Sequence, residues 1–114
     1  MTTTIKGDKA MEIELIRQLL EKPFQMTQHA ELRRRQRGIS IPDMKQAIRN
    51  GSIIEDYPDD YPYPSCLILG YAEDEQPLHL VCGAGEGTLF IITAYRPSPE
   101  KWEADWKTRK EKDQ

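Results

Sequence analysis

The sequence from Ser65 to Tyr95 reads SCLILGYAEDEQPLHLVCGAGEGTLFIITAY. It contains three β-rich runs, at residues 65–71, 77–82 and 88–95, and turn-forming residues separate them. Connections this short join antiparallel neighbours, because a parallel crossover needs about a dozen residues or more. This stretch therefore predicts an antiparallel meander.

The residues before Ser65 extend this pattern in two ways. A fourth β-rich run occupies residues 52–57, between Gly51 and a Pro-Asp-Asp turn. Apolar spacing, together with Thr27 and Ser40 as N-caps, indicates helices further upstream. These helices are expected at residues 9–22, 28–37 and 42–50.

The residues after Tyr95 predict a last helix. Pro97 ends the final strand, and Ser98 is expected to cap a helix that runs to about Lys110. Trp102 and Trp106 are four residues apart and so share one face of that helix.

The predicted fold class is α+β: helices, then a four-stranded antiparallel meander sheet, then a C-terminal helix. Residues 9–110 form a single domain, and residues 1–8 and 111–114 are expected to be tails. An open sheet with helices on one face is the simplest way to bury these apolar stripes.

Composition indicates a small protein of the cytoplasm. The chain has 114 residues, of which 38% are hydrophobic and 31% charged. No apolar run approaches the roughly 20 residues that a membrane span needs, and the N-terminus has no hydrophobic signal region. Cys66 and Cys82 are expected to be reduced, strand-borne apolar residues.

Charge is distributed unevenly along a chain of net charge −3. Residues 27–50 carry six basic and two acidic groups, whereas residues 51–90 carry eight acidic groups and no Lys or Arg. This polarity suits an anionic ligand on one face and a basic partner on another.

The basic segment suggests a site for phosphate. His29, Arg33 and Arg37 are spaced four residues apart and so share one helix face. An imidazole beside guanidinium groups can move a proton and hold a phosphate. A solvated face of ordinary charges is the alternative, with equal weight.

Two further candidates lie on the predicted strands. Alternation turns His79 away from its apolar neighbours, towards a site or into a half-buried position where its hydrogen bonds are satisfied. Tyr95 and Arg96 end the last strand, where a ligand cleft is possible.

The remaining sequence patterns do not indicate a metal site or a cofactor site. We therefore expect neither a metal nor a cofactor. Residues 83–87 are Gly-rich but lack the lysine of a phosphate loop, so they predict a hairpin turn. His79 and Cys82 point to opposite faces of a strand, which excludes half of a zinc site. An acidic edge that discourages strand pairing is formed by Glu55, Asp56, Asp59 and Asp60.

From about Thr27 to Arg109 the chain resembles a family of small bacterial and cyanobacterial proteins that is known as a domain of unknown function. The matching pieces are residues 27–29, 33–39, 50–58, 62–67, 77–79, 92–97 and Trp102. That family is similar to toxins of the RelE, BrnT and MqsR type, which are often encoded beside a zinc-finger antitoxin. The resemblance implies a RelE-like fold, ribonuclease activity and such an antitoxin as partner.

The primary hypothesis is a metal-independent ribonuclease toxin that acts on RNA. His29 or His79 takes the proton of the 2′-hydroxyl, and Tyr95 or the other histidine protonates the leaving oxygen. The phosphate is held by Arg33, Arg37 and Arg96.

The rival hypothesis is a non-catalytic interaction module whose arginine-rich helix docks an acidic partner. A third possibility is an arginine face that is merely solvated. Toxins of the type named above are usually basic, whereas this chain has a pI near 5.4. RNA affinity depends largely on neutralising phosphates, so the hypothesis requires the acidic strands to face away from the basic helix.

Overall fold

In the computed structural model, residues 11–111 are described. The elements, in chain order, are α1 (Ile13–Leu20), β1 (Gln25–Met26), α2 (Gln28–Gln36), α3 (Ile41–Asn50), β2 (Ser52–Tyr57), β3 (Ser65–Tyr71), β4 (Pro77–Gly85) and β5 (Thr88–Tyr95). The three helices and four strands predicted up to Tyr95 occur near their expected places. The tail at 1–8, the start of the helix at 9–22 and residues 112–114 lie outside the described residues.

The sheet differs from the predicted four-stranded antiparallel meander, which was wrong. Its order is β1-β5-β4-β3-β2, and the four long strands do pair antiparallel in sequence order. However, β1 pairs with β5 in parallel, with Gln25 opposite Phe90 and Met26 opposite Ile91. The sheet is therefore five-stranded and mixed. A two-residue strand shows no periodicity, and its partner lies far away along the chain.

The predicted C-terminal helix was also wrong. Residues 97–111, called here the C-terminal segment, form turns closed by backbone pairing between Trp102 and Arg109. Trp106 has a φ of 63°, which is incompatible with a right-handed helix. The carboxylate of Asp105 accepts hydrogen bonds from the backbone N–H of Lys107 and Thr108, a local bond that competes with helix formation.

One face of the sheet forms the core with the helices. Ile16 and Leu20 of α1 and Met44 and Ile48 of α3 are buried in this core. The helix α3 lies so close to β3 that a Cβ at Gly70 would be 1.8 Å from a helix carbonyl oxygen. A glycine is therefore required there. Among residues 11–111, no helix is long and apolar enough to cross a membrane.

The other face of the sheet, called here the second face, carries the residues that alternate with the core. Strand register places Glu55, Leu67, Val81 and Thr93 in one row across this face, and Leu69, His79 and Tyr95 in the next. In the part of the chain that the structure describes, the buried residues of the helices belong to the opposite face. The C-terminal segment packs on part of it through Trp102, which is 3% exposed.

Candidate functional site

His79 lies at the centre of the second face and has no exposed surface. Its Nε2 is 2.7 Å from the carbonyl oxygen of Trp106, and its Nδ1 is 3.1 Å from the hydroxyl of Tyr95. Because a carbonyl only accepts, Nε2 carries the proton and Nδ1 accepts from Tyr95. The indole of Trp102 packs edge-on, with ring centroids 4.4 Å apart. The sequence left two possibilities for His79: a side chain that faces a site, or a half-buried one whose hydrogen bonds are satisfied. The structure shows that both ring nitrogens are hydrogen-bonded and that the side chain is fully buried.

The environment keeps both members of the His79–Tyr95 pair uncharged. Burial lowers the pKa of His79, although the Trp106 carbonyl and the charge of Glu55 favour its protonated form. Burial also raises the pKa of Tyr95, and the positive charges of Arg109 and Arg37 oppose that rise. The negative charge of Glu55 adds to the rise, so the half-buried phenol of Tyr95 stays protonated.

An ion pair fastens the C-terminal segment beside this pair. Arg109 donates to both carboxylate oxygens of Glu55, with Nε–Oε2 and Nη2–Oε1 distances of 2.7 and 3.0 Å. Its guanidinium lies 4.6 Å from the centre of the Trp102 ring. The pairing lowers the pKa of Glu55. Burial and the Glu55 carboxylate raise the pKa of Tyr57 to about 12.

Arg37 and Arg96 interlock at the C-terminal end of β5. Arg37 is the C-cap of α2, the helix that lies beside the edge of β5 after β1. The Nη1 of Arg37 donates to the carbonyl of Ala94, on β5, at 2.7 Å. Arg96 donates in turn to the carbonyls of Arg37 and Gly38. Within residues 11–111 neither guanidinium forms an ion pair with a carboxylate. Arg37 therefore retains its charge and N–H groups for an anion, whereas the charge of Arg96 also acts on the carboxylate of Asp43 and lowers its pKa.

The remaining basic residues of α2 are placed differently. Glu31 pairs with Arg34 at 2.9 Å and with Arg35 at 2.5 Å, and these bonds lower its pKa. Arg33 donates to Gln36 on the helix surface, and His29 is exposed in the first turn. No contact joins His29 or Arg33 to the His79–Tyr95 pair in the described structure.

The six residues predicted from sequence thus divide into two groups. The structure brings His79, Tyr95, Arg37 and Arg96 to one end of β5. His29 and Arg33 stay on the exposed side of α2.

Sequence reasoning missed Glu55, Trp106 and Arg109 as neighbours of His79. Glu55 was detectable, because strand alternation places it on the same face as His79. Arg109 and Trp106 were not detectable, because the segment that carries them was predicted as a helix.

Comparison with known proteins gives one result. A family model described as a domain of unknown function (DUF4258) matches residues 26–96, more than half of the chain. The chain belongs to this family. No curated protein and no solved structure matches it.

The family region contains both groups of predicted site residues and excludes two parts of the fold. It begins at Met26, after α1, and ends at Arg96, before the C-terminal segment that covers His79. Membership in the DUF4258 family confirms the expected domain of unknown function. Nothing in the comparisons links the chain to toxins of the RelE, BrnT or MqsR type.

Proposed function

We propose that this protein is a metal-independent ribonuclease of a toxin–antitoxin module, acting on RNA in the cytoplasm at the C-terminal end of β5. The observation that carries the proposal is the Tyr95–His79 hydrogen bond at the end of β5, where the charge of Arg37 acts on the Tyr95 phenol and Arg37 forms no ion pair with a carboxylate in the described part of the chain. A pair of groups able to pass a proton and a guanidinium able to bind a phosphate at the same end of β5 support this proposal.

The reaction is a transesterification. The RNA 2′-oxygen attacks the adjacent phosphorus, the bond to the 5′-oxygen breaks, and a 2′,3′-cyclic phosphate and a 5′-hydroxyl form. Tyr95 takes the 2′-hydroxyl proton while its own proton passes to Nδ1 of His79. The imidazolium that results is favoured by the nearby charge of Glu55. The Nδ1 proton of His79 then returns through the Tyr95 hydroxyl to the leaving 5′-oxygen, since His29 stays on the exposed side of α2.

The guanidinium groups stabilise charge on the phosphate as it becomes pentavalent. One well-placed donor of this kind contributes about 3 kcal/mol, or a factor of about 100 or more in rate. We assign this stabilising role mainly to Arg37, because its positive charge already opposes the rise in the pKa of the Tyr95 phenol.

The test is cleavage of single-stranded RNA by the purified protein and by single variants. Tyr95→Phe and Arg37→Gln are each expected to lower the rate by about 100-fold. Arg35→Gln is the matched control, because Arg35 lies on the same helix but is neutralised by Glu31. Wild-type rates in Tyr95→Phe would contradict the proposed mechanism.

A second candidate function is a non-catalytic module that docks an acidic partner. It is favoured by the engagement of both His79 nitrogens inside the molecule and by Leu32, which is 54% exposed on the basic side of α2. The resemblance to toxins suggests a zinc-finger antitoxin as the partner. This function predicts no RNA affinity at any salt, whereas phosphate binding weakens steeply between about 50 and 200 mM salt.

A further inference from the structure

A concave site lies on the second face, toward the turn between β4 and β5. It is a cavity of about 230 Å³, open to solvent and mostly apolar, between these strands and the loop that joins β2 to β3. Thr27, the N-cap of α2, contributes to its wall, so the cavity adjoins the start of the helix that carries His29. Nothing in the mechanism above uses it.

Aromatic rings form its walls. Tyr63 and Phe90 stack with centroids 5.5 Å apart and planes inclined by 13°. The Tyr63 ring lies so close to Gly85 that a Cβ there would be 2.1 Å from it, so the glycine permits this position. Tyr61 stands at the rim and is 94% exposed. An exposed aromatic ring beside a cavity lined by aromatic side chains can stack on a planar ligand.

One polar group gives the cavity its chemical preference. Asp60 lines it, and its Oδ2 accepts a hydrogen bond from the hydroxyl of the buried Ser65. Within residues 11–111 no donor is bonded to Oδ1. A carboxylate oxygen accepts from N–H groups and repels phosphate, so the cavity suits a flat ring that carries N–H donors.

We propose that this cavity binds an unpaired nucleobase with an exocyclic amino group on its pairing edge, as in cytosine but not uracil, of an RNA strand whose phosphodiester lies at Tyr95. The inference rests on the proposed function and extends it to substrate selection. Ile92, on the cavity wall, precedes Tyr95 by three residues on β5, about 10 Å at roughly 3.3 Å per residue. A base in the cavity and a phosphate at Tyr95 therefore belong to nearby nucleotides of one strand.

The experiment measures binding separately from cleavage. Fluorescence anisotropy at low ionic strength compares labelled tetracytidylate and tetrauridylate, with Tyr95→Phe as a background in which cleavage is expected to be about 100-fold slower. In that background Tyr61→Ala is expected to bind tetracytidylate about 5- to 150-fold more weakly, the usual effect of losing one stacked base. Tyr71→Ala is the matched control, because Tyr71 is an exposed tyrosine at the far end of β3. It is expected to bind as the background does.

A second variant tests the role of the carboxylate. In Asp60→Asn the amide oxygen still accepts from Ser65, while the amide nitrogen offers an N–H to the carbonyl groups of uracil. The ratio of cytosine to uracil affinity is therefore expected to fall by about tenfold. An unchanged ratio would contradict selection by Asp60.

The two proposals fail in distinguishable ways. Base-dependent binding that requires Tyr61, without any RNA cleavage by the wild-type protein, supports the cavity and removes the ribonuclease mechanism. Cleavage that depends on Tyr95 but is indifferent to Tyr61→Ala and Asp60→Asn overturns the base site alone. Absence of binding to either oligonucleotide also overturns it.

Discussion

Substitution of His79 by phenylalanine keeps a ring between β4 and the C-terminal segment but removes both of its hydrogen bonds. The Trp106 carbonyl then lacks its donor, at a cost of about 1–3 kcal/mol. The Tyr95 hydroxyl is half-buried and can donate to water instead, so the loss of its hydrogen bond to His79 costs about 1 kcal/mol. We expect the free energy of unfolding at pH 7 to fall by about 3 kcal/mol, which lowers Tm by roughly 10 °C.

The same substitution has a pH dependence of known sign. Burial lowers the pKa of His79 in the folded state below its unfolded value of about 6.5. Below pH 6.5 the unfolded chain binds a proton that the folded protein does not. The stabilisation is thus complete above pH 6.5 and is lost as pH falls, by up to about 1.4 kcal/mol per unit. Glu55, whose pKa is lowered, titrates below this range.

The measurement is urea unfolding followed by tryptophan fluorescence at pH 7.0 and 5.5. The deficit of His79→Phe is expected to be smaller at pH 5.5 than at pH 7.0, by at most about 1.4 kcal/mol, because only the wild type loses stability through this histidine. His29→Phe, a change at an exposed histidine, is the control and should retain the wild-type loss. A deficit below about 1 kcal/mol at pH 7, or one that does not change with pH, would refute the account of His79.

Three further predictions concern the fold around the site. Glu55→Gln removes a partly exposed ion pair with Arg109, so the free energy of unfolding in urea should fall by about 1 kcal/mol or less and amide exchange in the C-terminal segment should become faster. Unchanged amide exchange would show that the ion pair does not fasten the segment. Gly70→Ala places a methyl group 1.8 Å from the carbonyl oxygen of Ala47 and should cost more than about 3 kcal/mol, so a thermal scan that shows wild-type Tm would contradict the packing of α3 on β3. Burial raises the pKa of the Cys66 thiol to about 12, so it should react with a thiol reagent only after unfolding, and rapid reaction of native protein would contradict its burial.

The strands and helices that sequence predicts are those whose signals are local. Alternation and turn residues define β3 to β5, and Ser40 forms the expected N-cap, with Asp43 completing a capping box. The parallel strand β1 has only two residues, Gln25 and Met26, and depends on a partner about 65 residues away. No local pattern carries that information.

The C-terminal segment shows how a correct spacing leads to a wrong structure. Trp102 and Trp106 are four residues apart, as on a helix, yet only Trp102 packs against His79 through its ring. Trp106 instead contributes its backbone carbonyl. A backbone contact of this kind is independent of side-chain type, so sequence patterns do not reveal it.

The basic face of α2 was predicted in part. The helix and its N-cap Thr27 occur as expected, which places His29 and Arg33 on its exposed side. Arg37 is the C-cap, and its side chain turns to the edge of β5 to satisfy the Ala94 carbonyl. Its convergence with Tyr95 thus depends on β5, which ideal helix spacing does not describe.

The most direct test of the central claim is the chemistry of the RNA ends left after incubation with purified protein in excess EDTA. The account predicts fragments with 2′,3′-cyclic phosphate and 5′-hydroxyl ends by mass spectrometry, and about 100-fold slower formation by Tyr95→Phe. Intact RNA, or fragments with 5′-phosphate ends, would contradict it.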